Sequence, residues 1–241
     1  MNFSIEPNDS IRYEIRHADE HLLVVDKPPH VVTQPGKKHE SDSLLNGLFV
    51  AYGPQLQNLG DARRWGLLHR LDKETSGLVL VALRNRAYDH LRDQFDRHLV
   101  KKIYWTIVAG VPHPTQGVIQ KPIAQVVANR KRAVIKKGGR PSVTAYRVLQ
   151  ASGGVSLIEA RPKTGRLHQI RVHMSAIGHP IAGETIYLGK QVPIGSVPRL
   201  CLHAAGLSFL HPQTGHRLEV RSPWPKDLRK TLKRFGLAEP A

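Results

Sequence analysis

Asp72 lies between Arg70 and Lys73 in the stretch His69-Arg70-Leu71-Asp72-Lys73-Glu74-Thr75-Ser76-Gly77, which runs directly into the apolar residues Leu78 to Leu83. A polar, turn-like segment with one acid among cations, at the mouth of a buried strand, presents a carboxylate on a rigid rim. Cations beside a carboxylate favour its ionised form, so this Asp suits a charged nucleophile better than a proton donor. The same residue serves equally as the cap of a turn through Thr75-Ser76-Gly77.

Other chemistries have weaker support. Fourteen histidines invite a metal reading, but His168 and His173 are five positions apart and do not share a helix face. No His-Glu-x-x-His or paired-Cys spacing occurs, so no metal is expected. Gly138-Gly139 and Gly153-Gly154 are isolated pairs, outside any phosphate-loop or dinucleotide pattern, and no organic cofactor is expected either. A Gly-x-Ser-x-Gly elbow is also lacking. What survives is a cofactor-free Asp site on a scaffold that binds RNA or DNA.

Charge supplies the partner. Thirty-six Lys and Arg stand against 19 Asp and Glu, for a net charge of +17, an imbalance that implies a polyanion, of which nucleic acid is the commonest. The single cysteine, Cys201, lies between Leu200 and Leu202, reads as a small core residue and fits a reducing compartment. Residues 1 to 15 lack a basic region followed by an apolar one, and the longest apolar run, Leu78 to Leu83, is far short of a membrane span. The expectation is a cytoplasmic monomer of one domain over residues 1–241, with no membrane partner.

The elements that must position Asp72 can be read in order. Strands are expected at Ile11 to Arg16, His21 to Val25, Leu78 to Leu83, Lys101 to Ala109, Val143 to Leu149, Val155 to Ala160, Leu200 to Leu210 and His216 to Val220. Helices are expected at Ser41 to Tyr52, capped by Ser41 or Asp42, and from Asn85, where Ala87, Leu91, Phe95 and Leu99 recur every four residues. Another is expected from Thr164, with cations and donors at an N-terminal end that favours anions, and a short basic one over Lys226 to Arg234. Residues 129 to 140, with Arg130, Lys131, Arg132, Lys136, Lys137 and Arg140 and no acid, read as a basic hairpin against phosphates or as a solvated loop.

These residues resemble a known family. The stretch from His69 to Gly77 is similar to the catalytic motif of RluA-type pseudouridine synthases. Val24-Val25-Asp26-Lys27-Pro28, Lys102-Ile103-Tyr104, the segment from Thr164 to His173, Leu202-His203-Ala204 and Phe209-Leu210-His211-Pro212 follow the family's order. The resemblance implies an α+β fold built on a large, bent, mainly antiparallel mixed sheet flanked by helices and loops, and an enzyme that isomerises uridine to pseudouridine in ribosomal or transfer RNA. By motif position it makes Asp72 the essential carboxylate, Tyr104 the aromatic beside the target base and Arg166 the cation paired with Asp72. The carboxylate attacks the ribose carbon or promotes elimination to a glycal; both routes stay open. Base flipping is implied, with Arg70 either entering the vacated space or serving as an electrostatic partner, and His168 and Arg171 near the RNA. Leu167 stands where relatives usually carry Thr or Ser, and only some twenty residues precede the first motif, so the resemblance implies a catalytic domain over 1–241 with no separate N-terminal RNA-binding domain. A rival reading is an RNA-binding or ribosome-assembly factor that has lost catalysis on the same scaffold.

Overall fold

The computed structural model describes residues 4–60, 64–127, 131–188 and 196–240. It shows the expected α+β class, with a large, mainly antiparallel sheet and few helices. The chain divides into two compact units, Met1–Lys101 with Gly206–Ser222, and Lys102–Ala205 with Pro223–Ala241.

In the first unit, β1 (Glu14–Ala18), β2 (Leu22–Lys27) and β3 (Ser76–Ala82) are neighbours in that order. Every residue of β3 is buried, which explains why its run from Leu78 to Ala82 is continuously apolar instead of alternating. β2 pairs antiparallel with β3 from Leu22↔Ala82 to Lys27↔Gly77. Helix α1 (Leu44–Leu56) starts later than expected, because Ser43 is its cap: the Ser43 hydroxyl accepts from Asn46 N–H, and the Asn46 side chain accepts from Ser43 N–H. Asp42 is engaged instead with His39, 2.8 Å away. Helix α2 (Asn85–Asp96) follows the predicted stripe through Ala87, Leu91 and Phe95 but stops short of Leu99, which is 43% exposed. Leu22, Val24, Leu78, Leu80, Leu91 and Phe209 form the core of this unit.

In the second unit, β4 (Lys101–Ala109), β9 (Val155–Pro162), β8 (Thr144–Ser152) and β5 (Gln116–Ile119) are successive neighbours, and β6 (Ile123–Val127) with β7 (Lys131–Ile135) forms a separate two-stranded sheet. The basic segment therefore supplies one strand of an antiparallel pair, β7, whose partner β6 lies upstream of the expected 129–140. Helix α3 (Gln169–Ala176) lies beside β7, with Ile123, Ala133 and Val172 forming a small core. Strand β10 (Leu202–Leu210) is divided at Gly206, and its second part pairs with β11 (Arg217–Arg221) in the first unit. Helix α4 (Arg229–Arg234) closes the second unit. Cys201 is fully buried and burial pushes its thiol up to about 12, which keeps it protonated and unreactive.

Candidate active site

Asp72 opens a tight turn whose first carbonyl accepts from Thr75 N–H at 3.1 Å, immediately before β3 begins at Ser76. Both sides of the turn are pinned from below. The buried Thr33 hydroxyl donates to Leu71 C=O at 2.9 Å and accepts from Leu71 N–H at 3.0 Å, satisfying both backbone groups of the preceding residue. Lys27, with 0% of its surface exposed, ends β2 and directs its ammonium to the carbonyls of Pro28 (2.7 Å), Val31 (2.7 Å) and Lys73 (3.4 Å). A buried charge is tolerated only when hydrogen bonds replace its water, and these carbonyls do so while tying the Asp72 turn to the β2 loop. His69 completes the frame: its Nε2 accepts from Leu80 N–H at 3.1 Å and its ring stacks on Phe95. Asp72 is half-buried on this frame, with Arg70 and Lys73 exposed beside it. A carboxylate fixed by its backbone, between two solvated cations, is preorganised for attack or proton abstraction without having to order its own loop.

The second unit holds Tyr104 and Arg166. Tyr104 is half-buried on β4, opposite Ala160 of β9. Arg166 lies in the loop before α3, not on the helix. The fully engaged Gln169 amide explains why: its Oε1 accepts from Thr164 Oγ1–H (2.7 Å) and Arg166 N–H (3.0 Å), and its Nε2 donates to Val143 C=O and Thr144 Oγ1 (3.0 Å each). Thr164, Gly165 and Arg166 are thus folded back onto Gln169 instead of continuing a helical turn, and His168 takes a left-handed conformation with φ 49° as α3 starts. The Arg166 Nε–H donates to Pro141 C=O at 3.3 Å. Burial, and then the charge of Arg140, lower its pKa from the usual guanidinium value.

Thr144 also receives His173. With Nε2–H donating to Lys121 C=O at 2.9 Å, Nδ1 is left to accept from Thr144 Oγ1–H at 2.9 Å, so the neutral imidazole satisfies the site. Burial holds the His173 pKa below 6.5, against a smaller opposing effect of that carbonyl. The unfolded chain therefore binds this proton at higher pH than the folded one, and stability falls as pH drops through the ordinary histidine range toward the lowered folded value. Denaturation midpoints between pH 7.5 and 5.5 should decline, and less steeply in His173→Gln; an identical slope in that variant would remove His173 as the cause.

The remaining candidates divide. Arg132, Lys136 and Lys137 are exposed on and after β7, as a phosphate-binding surface requires. Lys131 starts β7, and Arg130 lies outside the described residues. His168 is half-buried, its Nδ1 2.8 Å from Tyr187 Oη, and that hydroxyl accepts from Ala133 N–H at 2.9 Å, joining α3 to the hairpin. Arg171 is enclosed: its Nε–H and Nη2–H donate to the two carboxylate oxygens of Glu184 at 2.8 and 2.7 Å, with side-chain exposures of 4% and 1%. That geometry is a structural ion pair and leaves the guanidinium shielded from solvent. Sequence reasoning gave no role to Lys27, Thr33 or Gln169, whose side chains fix the backbone on either side of Asp72 and Arg166. Lys27 and Gln169 were visible as members of the motif stretches Val24 to Pro28 and Thr164 to His173, without a role, whereas Thr33 lies outside every motif.

Among the described residues no cluster of three or more His, Cys, Asp or Glu could hold a metal ion, and no helix is long and apolar enough to cross a membrane.

Residues 21–176, which include Asp72, Tyr104 and Arg166, match the model of the family described as RNA pseudouridylate synthase. The chain is 35% identical over 226 residues to an uncharacterised RNA pseudouridine synthase of Synechocystis, covering 92% of this chain and 69% of that protein. It is 39% identical over 237 residues to the ribosomal large subunit pseudouridine synthase D of Zymomonas mobilis, covering 95% of this chain and 74% of that one. Among solved structures, human RNA pseudouridylate synthase domain containing 4 superposes with a TM-score of 0.74 at 27% identity, covering 95% of each chain.

Proposed function

This chain belongs to the RNA pseudouridylate synthase family, and from that membership we propose that it converts uridines of large-subunit ribosomal RNA to pseudouridine, with Asp72 as the essential carboxylate. The observation that carries the assignment is the Asp72 turn itself. Its backbone is held by Thr33 and Lys27, a degree of preorganisation that a mere turn cap has no need for. Tyr104 is assigned the place against the target base and Arg166 the cation that keeps the carboxylate ionised. The ribosomal choice draws on relatives named for the large subunit. No observation favours a chain that binds RNA without acting on it.

The reaction breaks the bond from the ribose carbon to N1 of uracil, turns the base and joins C5 to the same carbon, with the C5 proton lost and a proton taken up at N1. The target base must leave its stack at a cost of a few kcal/mol, which phosphate contacts offset. The exposed cations Arg132, Lys136 and Lys137 supply such contacts. Changing all three to Ala should weaken RNA binding and reduce the slope of log affinity against log salt by about 2 to 3, at roughly 0.7 to 0.9 per phosphate contact. An unchanged slope would remove the hairpin from the interface. Arg171, enclosed with Glu184, is assigned a structural role instead.

Reverse-transcription mapping of pseudouridines in cells with and without this protein tests the substrate. We expect a loss confined to the large-subunit RNA; losses only in transfer RNA would overturn that choice.

A further inference from the structure

The second unit is short of negative charge in a specific place. It contains four side-chain carboxylates, Glu159, Glu184, Asp227 and Glu239. Each is already paired: Glu159 with Arg147 and Arg161, Glu184 with Arg171, Asp227 with Arg199, and Glu239 with Arg229. Lys102, on the other hand, has no carboxylate partner within the unit. Residues two apart on a strand point to the same face, so Lys102 shares a face of β4 with Tyr104. Glu159 opposes Trp105 in the ladder and therefore lies on the other face. The Lys102 ammonium is desolvated and feels the like charge of Arg166, which together lower its pKa to about 8, so it remains mostly cationic at neutral pH.

A half-buried cation with no carboxylate partner in its own unit, on the strand face of the residue assigned to the base, is placed to meet negative charge that develops on the substrate. We propose that Lys102 stabilises the uracil anion formed when the glycosidic bond breaks. This rests on the reading that Tyr104 lies against the target base. The C1′–N1 bond breaks with its electron pair on the base, and the charge spreads over N1, O2 and O4. It persists until C5 uses that electron pair to bond the sugar carbon; the C5 proton then departs and N1 takes up a proton, which leaves the product neutral. Both the nucleophilic and the elimination routes pass through this anion, so the role of Lys102 does not depend on which is followed. A fixed cation aimed at charge that appears only during the reaction lowers the barrier without tightening substrate binding.

The test is single-turnover kinetics at saturating RNA with Lys102→Met and Lys102→Arg, on substrates carrying uridine or 5-fluorouridine at the target. Fluorine withdraws electrons and stabilises the departing base by itself. Consumption of the target nucleoside should slow about 10²- to 10³-fold for Lys102→Met on uridine, by a much smaller factor on 5-fluorouridine, and only modestly for Lys102→Arg, with RNA affinity unchanged throughout. Equal losses on the two substrates, or a weaker affinity with an unchanged single-turnover rate, would overturn the proposal; the second result would make Lys102 a phosphate ligand. Should Lys102→Met fail to fold, Lys102→Gln supplies the neutral comparison. Asp72→Ala serves as the control: if it turns over uridine normally, the site assignment itself fails, whatever Lys102 does.

Discussion

Asp72→Asn should lower pseudouridine formation by at least about four orders of magnitude, while binding RNA as tightly as the parent protein. Substitution keeps the size and the backbone bond from Thr75 N–H to Asp72 C=O, and it leaves Thr33 and Lys27 holding their carbonyls. Only the charged oxygen is removed. Neither attack on the sugar carbon nor promotion of elimination can proceed with a neutral amide, and losses of this order are typical when the reacting group itself is deleted. The cations proposed to contact phosphate, Arg132, Lys136 and Lys137, are untouched by the substitution, so affinity and its salt dependence should not move. A variant that turned over within tenfold of the parent would show that Asp72 only shapes the turn.

The second large effect concerns stability. Arg171→Ala should destabilise the fold by about 3–5 kcal/mol, because it leaves the Glu184 carboxylate enclosed without its partner. Burial by itself would raise the Glu184 pKa, but the hydrogen bonds and charge of Arg171, with the N–H groups of Ile186 and Thr185, outweigh it and hold the acid below the usual range. Losing the guanidinium reverses that balance. Arg171→Lys should recover only part of the loss, since an ammonium cannot make both parallel bonds to the carboxylate. In a chain of this size the melting point should fall by roughly 6–20 °C. A variant with unchanged melting but a shallower salt dependence of RNA binding would return Arg171 to the phosphate-binding surface.

Arg171 also shows where sequence reading stops. Beside a catalytic-type motif, an arginine reads as a substrate contact, and its partner Glu184 is 13 residues further on, past the end of α3. Pairings across such distances leave no periodic trace. The same limit explains α3. Leu167, Ile170 and Met174 have helical spacing, yet the helix starts at Gln169, because the Gln169 amide satisfies Thr164 and Arg166 more fully than a further turn would. The α1 cap moved to Ser43 for a local reason, the reciprocal bonds with Asn46. Features that depend on one segment alone were legible: the buried run of β3, the amphipathic stripe of α2 and the turn that places Asp72 at the head of β3. The order of strands and the two-unit division follow from burial across many segments. No single stretch encodes them.

The most direct test of the account is tritium release from ribosomal RNA labelled at C5 of uracil, with the wild-type protein and Asp72→Asn side by side. The account predicts release by the wild type in step with pseudouridine formation, and none above background from the variant. Equal release by both proteins, or release by neither from any ribosomal or transfer RNA, would contradict it.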